Sequence, residues 1–447
     1  MEYKYMAGLR ANANPSKKIP PWRQYMRRLR RAIILLVVML ALAAAAMAQG
    51  KFQLKAGDRV VFYGDSITDQ RLYTIFVETY VVTRFPRLRV SFVHSGWGGD
   101  RVTGGGGGPI DLRLKRDVIA FKPTVMTIML GMNDASYRAW DDTIFKTYST
   151  GYEHIIDSVK KALPGIRITV IQPSPFDDVT RPPQFEGGYN AVLVRYGQFV
   201  KELGERDELT VADLNAPMVA MLEKAKATDP ELAQKIIPDR VHPADSGHLI
   251  MAEALLKAWN APALVASVEL DAASKKVVRA ESTKVTALSA GPGLSWTEAD
   301  EALPVPLPIP LDALDKDFAL AVNSSDFIAA LDQEPLKVTG LTAASYELKI
   351  DGEKVGVFTK EQLAEGINLA LQPTPMIKQA SKVHDLTVKH NDTHFARWRE
   401  IQVPLQDEKL VRKQATLDAL DKLEDEIVQQ QRAAALPKPR HYELTPQ

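Results

Sequence analysis

The chain has 447 residues, of which 45% are hydrophobic and 25% are charged, a composition typical of globular proteins. Its 56 lysines and arginines balance 55 aspartates and glutamates, so the net charge of +1 gives no bulk attraction to nucleic acid or to an anionic membrane. The absence of cysteine excludes disulfides, thiolate metal sites and a cysteine nucleophile.

Residues 26–48 have the build of a secretory signal peptide. Arginines at positions 27, 28, 30 and 31 precede an unbroken apolar run from Ala32 to Ala46. The small residues Ala46 and Ala48 fit the positions that signal peptidase reads, which predicts cleavage before Gln49. An uncleaved membrane anchor is the alternative, but the run is shorter than the about 20 residues that a span needs. We therefore expect export to the periplasm or the medium, with no membrane span left after cleavage.

Short apolar segments alternate with helix-like segments between residues 57 and 260. Four continuous apolar segments followed by turn residues predict buried strands at 59–63, 88–93, 124–130 and 166–171. Helical spacing is found at 72–84, 112–121, 145–163 and 191–203. This alternation predicts a parallel sheet that is covered on both faces and binds ligands at the carboxyl ends of its strands.

The five glycines at 104–108 predict a segment without regular structure. A flexible surface loop is one interpretation of them. A backbone that lies close to a substrate is the other.

Four polar blocks follow the predicted strands or lie in a late loop: GDSIT at 64–68, GWGGD at 96–100, GMND at 131–134 and DRVHP at 239–243. Ser66 would expose its hydroxyl at a helix start, although serine is also a common helix cap. Asn133 could donate to an oxyanion or serve as a turn residue. His242 could activate a serine if a third group such as Asp239 orients it. Each block is weak alone, so their order along the chain carries the prediction.

In this order the blocks resemble those of the SGNH hydrolases, also called the GDSL esterase/lipase superfamily, over about residues 55–260. The resemblance implies a three-layer α/β/α, flavodoxin-like fold. It also implies that Ser66 is the nucleophile, that His242 is the general base and then the acid, and that Asp239 holds His242. The expected reaction is acyl transfer to the serine followed by hydrolysis, without a metal or an organic cofactor.

The same resemblance implies an oxyanion hole made by the backbone N–H groups of Ser66 and Gly99 and the side-chain amide of Asn133. The choice among Gly96, Gly98 and Gly99 rests on the aspartate at position 100, since the family tends to place the oxyanion glycine directly before an aspartate.

The expected function is that of an exported serine esterase acting on short-chain, chiefly acetyl, esters of carbohydrate. Aromatic residues in the loops at the strand ends would suit sugar rings or acyl chains: Trp97, Tyr137, Trp140, Phe176, Phe185 and Tyr189. The polar loop 173–188 contains no apolar lid helix, which disfavours a long-chain lipase. A lysophospholipase or other lipid esterase, an acyltransferase and a non-catalytic carbohydrate-binding surface protein are the alternatives. The expected partner is a small-molecule or polysaccharide ester; no nucleic-acid module is visible, and the oligomeric state is left open.

We divide the chain into the extension and signal peptide at 1–48, a hydrolase domain at 49–262, and a β-rich region with terminal helices at 263–447. The last region contains a predicted hairpin at 346–358 that turns at Asp351-Gly352, then a short helix between Thr359 and Gly366. A proline-rich linker at about 301–310 and a frayed end at 436–447 are also expected.

The role of residues 263–447 is open, since they could bind polysaccharide, form a dimer or roof the active site. His384, His390, His394 and Arg397 could contact a substrate, but a packed pair of helices explains them equally well.

Overall fold

Residues 51–291, 293–311 and 315–447 are described by a computed structural model. The predicted signal peptide, together with the whole extension 1–48, lies outside these ranges. Among the residues described, no helix has the length and apolar character needed to cross a membrane.

A parallel sheet forms the centre of the first half of the described chain. The strands of this half are β1 (Arg59–Gly64), β2 (Ser91–Gly96), β3 (Gly104–Gly105), β4 (Gly108–Pro109), β5 (Val125–Met129), β6 (Arg167–Gln172) and β7 (Thr210–Asp213). The sheet has the strand order β2-β1-β5-β6-β7, and all its pairings are parallel. The strands are apolar almost throughout because both faces of the sheet are covered.

Helices cover this sheet in two layers. They are α1 (Ser66–Asp69), α2 (Leu72–Arg84), α3 (Ile110–Asp117), α4 (Asp142–Ala162), α5 (Gly188–Arg206), α6 (Ala216–Thr228), α7 (Pro230–Ile236) and α8 (Asp245–Ala258). Helix α2 packs against α8. Helices α4 and α5 meet through Tyr148 and Tyr196, whose ring centroids are 4.4 Å apart. The predicted three-layer α/β/α fold with a parallel sheet is confirmed.

The expectation that residues 104–108 lack regular structure is wrong. Strands β3 and β4 pair antiparallel across Gly106-Gly107 and form a tight hairpin. A Cβ atom on Gly107 would lie 2.6 Å from Trp97 Cδ2 and 2.6 Å from Arg113 Cδ. The glycines therefore let this backbone pack directly on the Trp97 side chain.

The second half of the described chain carries two further sheets and a set of helices. Its strands are β8 (Ser267–Asp271), β9 (Lys276–Glu281), β10 (Thr283–Ala290), β11 (Leu294–Asp300), β12 (Pro335–Thr339), β13 (Ser345–Ile350), β14 (Glu353–Thr359), β15 (Ile367–Asn368) and β16 (Arg440–Pro446). Its helices are α9 (Lys316–Ser324), α10 (Phe327–Leu331), α11 (Lys360–Glu365), α12 (Pro375–Phe395) and α13 (Lys413–Ala435), with a π-helix at Ala396–Gln402 after α12. The strand orders are β10-β11-β16-β13-β14 and β15-β12-β8-β9, so the predicted β-rich and helical C-terminal region is confirmed.

The best local signals of this region agree with the structure. Strands β13 and β14 form the predicted hairpin around Asp351-Gly352. Thr359 caps α11, with its side chain accepting the backbone N–H of Gln362, and Gly366 follows the last residue of the helix.

Two expectations for this region are wrong. The frayed end contains β16, a central strand that pairs with β11 on one side and β13 on the other. The segment expected to be a linker is packed: Leu303, Val305 and Leu307 are buried. Its backbone is fixed to other elements, for example by the Leu303 N–H, which donates to Thr83 O at 3.1 Å.

The C-terminal region packs on the central α/β layers. Helix α12 lies against α2, and residues 52–447 form one compact unit. The Arg84 guanidinium at the end of α2 donates to the backbone oxygens of Pro262, Leu264 and Leu331, each at 2.9 Å. The division at 262/263 stays a prediction about folding units.

Candidate active site

Ser66, His242 and Asp239 form a chain of hydrogen bonds at the carboxyl end of the central sheet. Ser66 is the first residue of α1, two residues after β1 ends. Its Oγ lies 2.8 Å from His242 Nε2, and His242 Nδ1 lies 2.7 Å from Asp239 Oδ2. Because 34% of the His242 side chain is exposed, these hydrogen-bonded side chains are accessible from solvent.

The Asp239 carboxylate is fixed by its own loop. One oxygen, Oδ1, accepts the backbone N–H groups of Val241 at 2.9 Å and of His242 at 2.7 Å, which leaves Oδ2 for the imidazole. Burial alone would raise the pKa of Asp239, but these hydrogen bonds and the nearby His242 lower it below its usual value. The group is therefore ionised at neutral pH and fixes the orientation of the His242 ring.

The loop after β2 lies against the start of α1. The Trp97 N–H donates to Gly64 O at 3.0 Å, and the Gly98 N–H donates to Asp69 Oδ2 at 3.0 Å. Gly99 has a φ of +75°, a conformation that other residues rarely adopt, although a Cβ atom there would meet open space. Within the described ranges, the Gly99 N–H donates to no protein acceptor.

Asn133 lies in the turn after β5, and both the nitrogen and the oxygen of its side-chain amide form hydrogen bonds. Its Nδ2 donates to Asp100 O at 3.1 Å, which joins it to the loop that contains Gly99. Its Oδ1 accepts the Tyr137 hydroxyl at 3.0 Å. An amide nitrogen carries two hydrogens, so one N–H of Asn133 remains for a ligand. Tyr137 was predicted only as an aromatic near the site, and its role as a donor to Asn133 was missed.

A cleft of about 1190 Å³ opens beside the hydrogen-bonded chain. Ser66, Asp239 and His242 line it, whereas Gly99 and Asn133 do not. Residues of the C-terminal region form part of its wall, among them Pro306, Leu307, Pro308, Phe318, His384 and Phe395. None of the six aromatic residues expected at the site mouth lines this cleft. No local motif predicts the C-terminal wall, because its residues lie far from the four blocks in the chain.

Of the four C-terminal residues considered as substrate contacts, only His384 lines the cleft. His390 and His394 are buried and lie beside Glu424, while Arg397 pairs with Asp421 at 2.6 Å.

Two further histidines, His94 and His248, are buried and hydrogen-bonded. His94 contacts Thr74 and Glu78, and burial lowers the pKa of His94 to about 4. His248 accepts the Tyr73 N–H, and burial lowers the pKa of His248 to about 3. Both rings are therefore neutral at physiological pH, as expected of packing residues.

Residues 62–250 match the family described as GDSL-like lipase/acylhydrolase. This segment belongs to that family. The match includes all four blocks, so the resemblance predicted from their order is confirmed.

Two known proteins resemble larger parts of the chain. An acetylxylan esterase from Geobacillus stearothermophilus is 28% identical over 227 residues, which are 46% of this chain and 95% of that protein. The solved structure of a gut microbial diltiazem-metabolizing enzyme is 26% identical, with a TM-score of 0.74, and the alignment covers 89% of this chain and 100% of that one. The second similarity extends into the C-terminal region. Together, the family match of residues 62–250 and these relatives identify the protein as a carboxylic ester hydrolase.

Proposed function

We propose that this GDSL hydrolase is an exported serine esterase that removes acetyl and other short acyl groups from carbohydrate through an acyl-enzyme on Ser66. The observation that carries the proposal is the hydrogen-bonded chain from Ser66 through His242 to Asp239, because it opens on a cleft large enough for a substrate. Export rests on the sequence of residues 26–48.

In the proposed reaction, His242 Nε2 accepts the Ser66 hydroxyl proton as Oγ attacks the ester carbonyl. Asp239 stabilises the imidazolium that forms. His242 then donates the proton to the leaving alcohol, which leaves the acyl group on Ser66. A water molecule, deprotonated by the same imidazole, attacks the acyl-enzyme and restores the serine.

Negative charge develops on the carbonyl oxygen in both steps. The N–H groups of Ser66 and Gly99 and the free N–H of Asn133 are the proposed donors to it. The loss of one such donor typically lowers kcat by about 100- to 1000-fold. Ser66 lines the cleft but Gly99 and Asn133 do not, so we assign the cleft to the alcohol part of the ester.

The similarity to an acetylxylan esterase favours an acetyl ester of carbohydrate as the substrate. A cleft of about 1190 Å³ is far larger than an acetyl group, which agrees with a bulky alcohol. The lipid-esterase and acyltransferase alternatives share the same acyl-enzyme, so substrate tests must separate them.

The test compares the full chain with Ser66→Ala on p-nitrophenyl acetate, acetylated xylan and a long-chain p-nitrophenyl ester. We expect acetate release to be faster than long-chain acyl release and to fall by about 1000-fold or more in Ser66→Ala. Ser149→Ala, which changes a partly exposed serine of α4, is the control and should keep the wild-type rate.

Each other outcome selects an alternative. Faster release of the long acyl chain would favour a lipid esterase. Transfer of the acyl group to an added alcohol in preference to water would favour an acyltransferase. An absence of release from every ester would favour the non-catalytic carbohydrate-binding protein.

Diltiazem is a second candidate substrate. The structural similarity to a diltiazem-metabolizing enzyme covers 89% of the chain and so extends into the C-terminal region. Diltiazem itself carries an acetyl ester, so the same chemistry would release acetate from it. Loss of the acetyl group measured by mass spectrometry, in the wild type but not in Ser66→Ala, would establish this activity.

A further inference from the structure

We propose that Arg399, from the π-helix after α12, is a positioning residue that holds the loop Trp97–Gly99 so that the Gly99 N–H faces the reacting carbonyl oxygen. The inference rests on the proposed function, because it assigns a support to the proposed oxyanion hole. It also gives the C-terminal region a direct part in the reaction.

Arg399 contacts the loop in two ways. Its guanidinium carbon lies 3.1 Å from the centroid of the Trp97 ring, so the cation stacks on the aromatic face. Its Nη2 lies 3.7 Å from Asp69 Oδ2, the same oxygen that accepts the Gly98 N–H at 3.0 Å. Arg399 therefore contacts both groups that hold this loop. One is the Trp97 ring, and the other is the Asp69 carboxylate that accepts the Gly98 N–H.

The loop needs support because its residues provide little of their own. Gly98 and Gly99 carry no side chains that could pack, and Gly99 adopts a positive φ. A glycine backbone loses more conformational freedom on ordering than that of any other residue. The N–H of Gly99 is useful to an oxyanion only if it is fixed before the reaction, and a misplacement of about 1 Å can lower a rate by about 100-fold.

Trp97 is the side chain through which the loop can be fixed. Gly107 packs on one part of its ring, and the Trp398 ring meets it edge to face with centroids 5.9 Å apart. Trp398 is itself buried and donates to Asp117 Oδ1 at 2.7 Å. Trp398 therefore anchors to α3 the segment that contains Arg399.

The arginine also controls the carboxylate of Asp69. This carboxylate is partly exposed and lines the cleft, so water competes with Gly98 for it. The positive charge of Arg399 favours the orientation in which Oδ2 accepts the Gly98 N–H. Without that charge, the carboxylate is free to turn toward solvent and the loop loses a hydrogen bond.

The experiment uses Arg399→Gln, Arg399→Lys and the matched control Arg397→Gln in the full chain. Arg397 lies on the same π-helix but pairs with Asp421 of α13 and does not touch the loop. We expect Arg399→Gln to lower kcat by about 10- to 100-fold with less than about a threefold change in KM. Arg399→Lys should recover part of kcat because it keeps the charge, and Arg397→Gln should keep the wild-type kcat.

Hydrogen exchange of the backbone amides at 97–100 gives a second readout that does not depend on turnover. We expect faster exchange in Arg399→Gln than in Arg397→Gln, since only the first frees the loop. Unchanged exchange, a loss confined to KM, or equal losses of kcat in both variants would overturn the inference. Full activity in Ser66→Ala would contradict the proposed function separately, because the exchange rates do not involve the serine.

Discussion

Tyr137 acts on the candidate site through its hydroxyl group. The hydroxyl donates to Asn133 Oδ1, and the Tyr137 ring stacks on Tyr189 with centroids 5.0 Å apart. Ser136 and Tyr137 both have positive φ values, +59° and +54°, although neither is glycine. Such backbone conformations cost about 1–3 kcal/mol each and persist where the surrounding contacts require them. The turn is therefore built to bring this hydroxyl to the amide.

Tyr137→Phe removes that donor and keeps the ring in its stack. We expect kcat to fall by about tenfold with little change in KM, because Asn133 then orients its free N–H less well. Steady-state kinetics on p-nitrophenyl acetate measures the effect. Tyr152→Phe is the control: it also removes one tyrosine hydrogen bond, to Ile128 O of β5, but neither residue lines the cleft. Equal losses of kcat in both variants would contradict the positioning role of Tyr137.

The sequence predicted the parts of the site that lie in local blocks. The order of the blocks predicts Ser66, Asp239 and His242 as site residues, and the structure joins the three by hydrogen bonds. Their catalytic roles stay predictions. Tyr137 and Arg399 were not found as positioning residues, because their effects depend on contacts that no motif contains. Arg399 lies more than 300 residues from Trp97 in the chain, and only the packed C-terminal region brings the two together.

At the scale of elements, continuous apolar runs and turn chemistry predicted most of the central sheet. The predicted helix 72–84 agrees with α2 in both bounds, and Thr359 caps its helix as expected. Strand β7 was missed because it has only four residues, half of them polar. The end of the chain was misread because Pro437 and Pro439 suggested fraying, whereas the alternation that follows them from His441 to Leu444 is the signal of a strand.

Strand β16 gives a direct test of that correction. Leu444 is buried between β11 and β13, while Glu443 points to the opposite, partly exposed face. We expect Leu444→Ala to lower the free energy of unfolding by about 2–5 kcal/mol, as other buried leucine truncations do. Glu443→Ala should change it by about 0.5 kcal/mol or less. Urea unfolding followed by circular dichroism measures both changes. A small effect of Leu444→Ala would contradict the central position of β16 and favour a frayed C-terminal end.

At the scale of the whole molecule, a buried ionic cluster joins the C-terminal helices to the α/β layers. His390 of α12 lies between two carboxylates: its Nδ1 is 2.9 Å from Glu78 Oε1 on α2, and its Nε2 is 3.1 Å from Glu424 Oε1 on α13. Gln431 and Asn391 also donate to Glu78. The three helices therefore share one set of buried charges, and this set helps to hold the C-terminal wall of the cleft in place.

The charges of this cluster depend on pH in a defined direction. Burial alone would lower the pKa of His390, but Glu78 and Glu424 outweigh it and raise the pKa to about 10. A histidine whose pKa is raised on folding stabilises the fold fully below its unfolded value of about 6.5, and this contribution is lost as the pH rises toward 10. The pKa of Glu424 is lowered to about 2, and that of Glu78 is also lowered, so both carboxylates stay ionised across this range. The neighbouring His94, with a pKa lowered to about 4, is neutral there.

His390→Gln removes the cation and leaves two buried carboxylates without it. Near pH 6 we expect a loss of about 3–5 kcal/mol in the free energy of unfolding, as for other broken buried ion pairs. The difference from the wild type should shrink between pH 7 and 9. Over that range His390 is protonated in the folded wild type but neutral in the unfolded chain, so folding must take up a proton, whereas the variant takes up none at this position. Thermal unfolding at a series of pH values measures this difference. The control His154→Gln breaks an exposed pair with Asp111 and should follow the wild type within about 1 kcal/mol at every pH. A gap for His390→Gln that stays constant with pH would show that the ring stabilises the helices by packing rather than by its charge.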